Sequence, residues 1–191
     1  CTRTLNNYNV IKRQCSYTQH INNRIAELDL PTKVRKDAVM MCSFVVGSDR
    51  EFFRSLSERE QEKFFADCTR FFADRYGEEN IISAVVHMDE TTPHLHLNLI
   101  PIADGRLCAK QLFDRKALQT LQTDFHSVVG NKWNLQRGKE GSTAKHLDTI
   151  SYKVKKMKDE AVAAVLQASE AKKRKEAAEQ SQAHVEQAML E

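Results

Sequence analysis

Two periods of hydrophobicity organise the first two thirds of this chain. "DAVMMCSFVVG", residues 37–47, is a short apolar run, β-branched in part, and predicts a strand buried on both faces. In "SEREQEKFFADCTRFFADRYG", residues 57–77, the period changes. Phe64, Phe65, Cys68, Phe71, Phe72 and Arg75 recur at three and four residues, the signature of an amphipathic helix with an aromatic stripe facing a core. Ser57 with Glu60 three positions on forms a capping box at its start, and Gly77 stops it. "NIISAVVHMDE" and "PHLHLNLIPI", residues 80–90 and 93–102, return to strand character. Thr91, Thr92 and Pro93 join them as a hairpin or as neighbouring antiparallel strands. In the second run His94, His96 and Asn98 alternate with Leu95, Leu97 and Leu99, which puts the polar side chains on one face and the leucines on the other.

The flanks are less regular. Residues 1–16 are polar and read as extended or looped, and "SYTQHINNRIAEL" as a short helix ending before Pro31. "ADGRL" is a turn, and Asp114 caps a helix over about 115–129 that Gly130 ends. "NKWNLQRGKEGSTAKHLD", residues 131–148, is irregular and basic. From Ile150 the composition shifts to Ala, Lys, Glu and Gln, predicting one long helix. Ile150, Val154, Met157, Ala161, Ala164, Ala168 and Ala171 give it a heptad-like seam, mostly of alanine, suited to a solvated helix or a weak self-associating coiled coil. The expected division is therefore residues 1–149 and 150–191.

Composition narrows the class. Of 191 residues, 41% are hydrophobic and 29% charged, as in a globular protein, and the net charge of +3 allows a local basic face without announcing a polyanion partner. Five scattered cysteines, none in a CxxC arrangement, suit isolated thiols in a reducing cytoplasm. No apolar run is long enough to cross a bilayer.

The stretch "HMDETTPHLHLNLIP", residues 87–101, concentrates the chemistry: three of seven histidines and two adjacent carboxylates. Three readings compete: polar residues on a solvated hairpin face, a structural zinc site, and a functional site of three neutral imidazoles. A structural zinc site closes four ligands, often thiolates, and no cysteine is near. The third reading has geometry behind it. His94 and His96 share a strand face about 6.6 Å apart, two strand rises. His87 ends the preceding strand and closes a triad if the strands are neighbours. Three protein ligands leave room for a substrate oxygen, as Lewis-acid chemistry requires. Glu90 is a candidate base or an orienter of a histidine, and Asp89 reads as a turn former.

At these residues the chain closely resembles plasmid mobilisation relaxases of the Mob/Pre type, the MobV group. Their metal motif, H-x-D-E-x-x-P-H-x-H, is met at every fixed position. "RTLNNY" resembles their R-T-x-x-N-Y segment. "FFADRYGEENIISAVVHMDE", "DGRLCAKQLFDRKALQTLQTDF" and "RGKEGSTAKHLD" resemble the flanking regions, so the likeness covers roughly residues 2–155. The resemblance implies an α+β fold, an antiparallel-sheet, HUH-type relaxase domain with packed helices, followed here by the long C-terminal helix. It implies a metal-dependent enzyme that nicks one strand of single-stranded or hairpin transfer-origin DNA and becomes joined to the 5′ phosphate, for conjugative mobilisation. His87, His94 and His96 would hold Mn²⁺ or Mg²⁺, with Glu90 helping to activate the nucleophile. An all-imidazole set is soft for Mg²⁺ and favours Mn²⁺.

The family's attacking histidine precedes the R-T-x-x-N-Y segment, so the resemblance places it ahead of Cys1. Tyr8, Tyr17 and His20 are the chemical alternatives within the chain. On the DNA side, Arg3, Asn7 and Tyr8 combine a phosphate donor, an amide and a stacking ring. Arg137, Lys139, Lys145 and His146 lie in a glycine-containing loop suited to phosphates. The competing functional readings are a rolling-circle replication initiator or transposase-like nuclease, and a non-cleaving DNA-binding remnant.

Overall fold

In a computed structural model of the chain, residues 6–28, 30, 33–138, 141 and 149–188 are described. It divides into two compact units, residues 1–138 and 139–191, a break somewhat earlier than the 149/150 boundary expected from composition.

The first unit is built on a four-stranded antiparallel sheet of β1 (Tyr8–Ile11), β2 (Cys42–Gly47), β3 (Ile81–His87) and β4 (His94–Leu99), in the order β1-β3-β4-β2. β3 and β4 pair as the hairpin that the sequence predicts, with His87 opposite His94 and Val85 opposite His96. β4 alternates half-buried and buried along its length, so Leu95, Leu97 and Leu99 enter the core while His94, His96 and Asn98 take the other face.

Helix α3 (Glu58–Tyr76) covers the leucine face. Its N-terminus carries the capping box: Glu60 accepts from the Ser57 backbone N–H at 2.8 Å, and Ser57 Oγ accepts from the Glu60 N–H. Phe64, Phe65, Cys68, Phe71 and Phe72 are buried as the periodicity predicts, but the stripe continues through Tyr76 rather than Arg75. Arg75 stays exposed and pairs with Asp124 of α5 (Arg115–Phe125) at 2.6 Å. Phe44 of β2, Phe53 of α2 (Arg50–Ser55), Phe125 and Trp133 complete a cluster of rings in edge and tilted contact. Each fully buried ring, such as Phe64 or Phe65, contributes about 1.5–3 kcal/mol.

β2 departs from expectation. It is shorter than residues 37–47 and lies at the sheet edge, and Val45 is 65% exposed rather than buried. The apolar run reads like a central strand, yet only alternate residues, Cys42, Phe44 and Val46, pack against the aromatic cluster. Residues 8–11, read as extended or looped, form β1. The "ADGRL" turn becomes a hairpin of β5 (Ile102–Ala103) and β6 (Arg106–Leu107), with Asp104 and Gly105 at φ 50° and 67°, the two left-handed positions of a primed turn.

Helix α1 (Tyr17–Ala26) begins at a Ser16–Gln19 capping box. It is anchored on the sheet by Arg24 Nε, which donates to Asn80 Oδ1 at 2.9 Å, and by a second apolar cluster joining Ile21 to Ile82, Ile100 and Ile102. A short helix α4 (Ala109–Leu112) precedes α5, and a single π turn, His126–Gly130, ends α5. In the second unit, α6 (Thr149–Ala188) is the long helix expected from composition, with Val154, Met157, Val165 and Leu166 exposed. No helix among the described residues is long and apolar enough to cross a membrane.

Candidate metal centre on the open sheet face

The sheet face opposite the leucines is organised in cross-strand rows. Gly47, His94 and His87 form one, Val45, His96 and Val85 the next, and Ser43, Asn98 and Ser83 the third. Because the hairpin register sets His87 beside His94, three imidazoles from two strands converge. Their ring centroids are 4.6–5.3 Å apart, and one nitrogen from each lies within 4.8 Å of the others.

The backbone fixes part of this arrangement. His94 Nδ1 donates to the Thr92 carbonyl at 2.9 Å, so Nε2 keeps its lone pair for the cluster. Gly47 makes room: a Cβ there would stand 3.3 Å from His94 Cβ, and a larger side chain would press on the imidazole. Burial, and then the neighbouring His87 and His94, hold the His96 ring below the ordinary histidine range, against a smaller opposing pull from Glu90. This favours a neutral His96 ring, the form that binds metal. Glu90 Oε1 sits 4.0 Å from both His87 Nδ1 and His94 Nε2, at the edge of the cluster. Asp89 lies in the same bend between the strands.

The residues expected to contact DNA take different places. Tyr8 is half-buried and packs against the core. Its hydroxyl is buried with no hydrogen-bond partner among the described residues, and burial pushes its pKa up to about 12. Asn7 spends its side-chain oxygen on the Met88 N–H at 2.7 Å, stapling the start of β1 to the connection that follows His87. Arg137 lies in the segment after α5, 3.0 Å from Thr123 Oγ1. Arg3, Lys139, Lys145 and His146 lie outside the described residues.

Sequence reading missed the supports: the Thr92 carbonyl, the bare Gly47 and the Ser43–Asn98–Ser83 row. Only Asn98 carried a signal, its place in the same alternation as the histidines.

The family model for "plasmid recombination enzyme", Mob_Pre, matches residues 1–154. A plasmid recombination enzyme from Bacillus sp is 38% identical over 161 residues, covering 83% of this chain and 39% of the relative. One from Lactiplantibacillus plantarum is 43% identical over 122 residues, 63% of this chain and 34% of the relative. The chain thus spans about two fifths of the length of the Bacillus relative and about a third of the Lactiplantibacillus one. Among solved structures, the MobM relaxase domain, Mn-bound at pH 6.8 with plasmid pMV158 oriT DNA, superposes with a TM-score of 0.75 at 36% identity, covering 80% of each chain. A second Mn-bound MobM complex, with 23-nucleotide oriT DNA at pH 6.5, gives 0.76 at 35% identity, covering 82% of this chain and 83% of that one. A sheet bearing a histidine cluster, agreement in fold at this identity and a family match over most of its length lead to one conclusion: this chain belongs to the Mob/Pre family of plasmid recombination enzymes.

Proposed function

We propose that this chain is the relaxase region of a DNA strand transferase. It nicks one strand at the transfer origin of a plasmid or mobile element and holds the 5′ phosphate covalently. One observation carries the reading: His87, His94 and His96 converge within 4.8 Å on a domain 36% identical to one crystallised with Mn and oriT DNA. Three imidazoles with an open side fit a divalent ion, Mn²⁺ more readily than Mg²⁺. When bound, such an ion withdraws charge from the scissile phosphate.

The chain's own residues supply the rest. His87, His94 and His96 are committed as ligands, so their lone pairs do not attack. Glu90, 4.0 Å from two of the rings, accepts or steers a proton. Neither tyrosine near the sheet is prepared as a nucleophile. Tyr8 is buried with a raised pKa, and the Tyr17 hydroxyl is engaged with Ser83 and Asn98. Helix α6 offers a surface for weak self-association and no catalytic group.

Mn²⁺ binding followed by electron paramagnetic resonance tests the site. The wild-type chain should take up one ion, and the H87A/H94A/H96A variant none; equal uptake would refute the assignment. In the native protein acting on its own transfer origin, Glu90→Gln should keep the ion and slow covalent adduct formation by about 10²–10⁴-fold.

A further inference from the structure

The third row of the open face lies one row beyond His96 and is joined to α1. Asn98 Nδ2 donates to Ser83 Oγ at 3.1 Å and to the Tyr17 hydroxyl at 3.3 Å, while its Oδ1 accepts from Ser43 Oγ at 2.6 Å. Tyr17 and Ser83 share one further bond at 3.3 Å. Counting protons on the ring of Tyr17, Ser83 and Asn98 leaves a surplus. Asn98 brings two donors and each hydroxyl one, but the ring holds three bonds. One O–H has nowhere to go inside it.

Burial decides which. Ser83 is 2% exposed and Tyr17 37%. A buried donor without a partner costs more than an exposed one, so Ser83 donates to Tyr17 and the Tyr17 proton is turned outward. The Arg13 guanidinium lies over the Tyr17 ring, 4.0 Å from its centroid. Among the described residues no carboxylate is hydrogen-bonded to any of the five. A spare hydroxyl donor beside a guanidinium matches the anionic oxygens of a phosphodiester.

We propose that Tyr17, Arg13 and the Ser43–Asn98–Ser83 row form a second phosphate subsite on the sheet face. It holds a backbone phosphate beside the one at the histidine cluster and so fixes how the strand crosses the sheet. Asn98 and Ser83 are positioning residues, and Tyr17 and Arg13 make the contact. The proposal rests on the strand-transferase reading, but the contact itself needs no metal.

Binding of fluorescent single-stranded dT12 to this chain, across a KCl series, with Mn²⁺ and with EDTA, separates the two. Arg13→Met should weaken binding about tenfold and reduce the salt slope by about 0.7, one phosphate's share on a single strand. Tyr17→Phe should weaken binding several-fold at unchanged slope, and the double variant should lose less than the product of the two factors. Both losses should persist in EDTA. The proposal is overturned if either single variant binds like the wild type, if Tyr17→Phe lowers only the melting temperature, or if dT12 does not bind at low salt. If both variants weaken binding while Mn²⁺ and the H87A/H94A/H96A variant make no difference to it, the subsite stands and the strand-transferase reading fails.

Discussion

The two faces of one sheet do different work. On β4, Leu95, Leu97 and Leu99 are fully buried under the aromatic cluster, while His94, His96 and Asn98 stay half-buried on the opposite side. One face holds the fold and the other presents reactive groups on it. Side chains on the first are irreplaceable for stability. His94 and His96 on the second lie outside both apolar clusters, so imidazoles are accommodated there.

Substitutions on each face can break or sharpen this contrast. Phe64→Ala, at a fully buried ring of the aromatic face, should cost about 3–5 kcal/mol of unfolding free energy in a denaturant titration; a loss below 1 kcal/mol would mean that the face collapses around the hole. His96→Ala should leave stability within about 0.5 kcal/mol while removing Mn²⁺ binding. A large stability loss without metal would place His96 in the fold and end the division of labour. Ser57→Ala removes the cap of the helix that covers the core face and should cost about 1 kcal/mol.

Tyr8→Phe has the smallest expected effect. Its buried hydroxyl has no partner among the described residues, so deletion should be neutral or stabilising by a few tenths of a kcal/mol. The sign at alkaline pH is defined. Tyr8 ionises near 10 when unfolded and only at about 12 when folded, so its contribution is whole below pH 10 and is lost as the pH climbs towards 12. The variant should lose less stability over that window, as thermal melts at pH 9 and 11 would show.

The sequence made the histidine face legible because its determinants are local. Ten residues contain the triad and Glu90, and period two decides their direction without knowledge of the fold. The helix α3 stripe was legible for the same reason. The exposed side of β2 was not, since residues 37–47 carry no mark of edge position, and which strand ends a sheet depends on pairing order. The packing of Tyr8 against the core was not legible either, because a tyrosine beside Arg and Asn looks the same in sequence whichever face of β1 it takes. The Tyr17–Ser83 contact spans 66 positions and depends on where α1 docks, which no local pattern encodes.

The staple from Asn7 to the Met88 backbone has a thermodynamic consequence. Met88 follows His87 directly, so ordering of the first strand and ordering of a cluster ligand draw on the same hydrogen bond. Linkage is reciprocal: to the extent that immobilising His87 suppresses fraying of residues 7–11, loosening those residues weakens by the same free energy whatever the imidazoles hold. Amide exchange at Met88 reports that coupling directly, through a protection factor that rises with occupancy of a site to which the amide itself makes no bond.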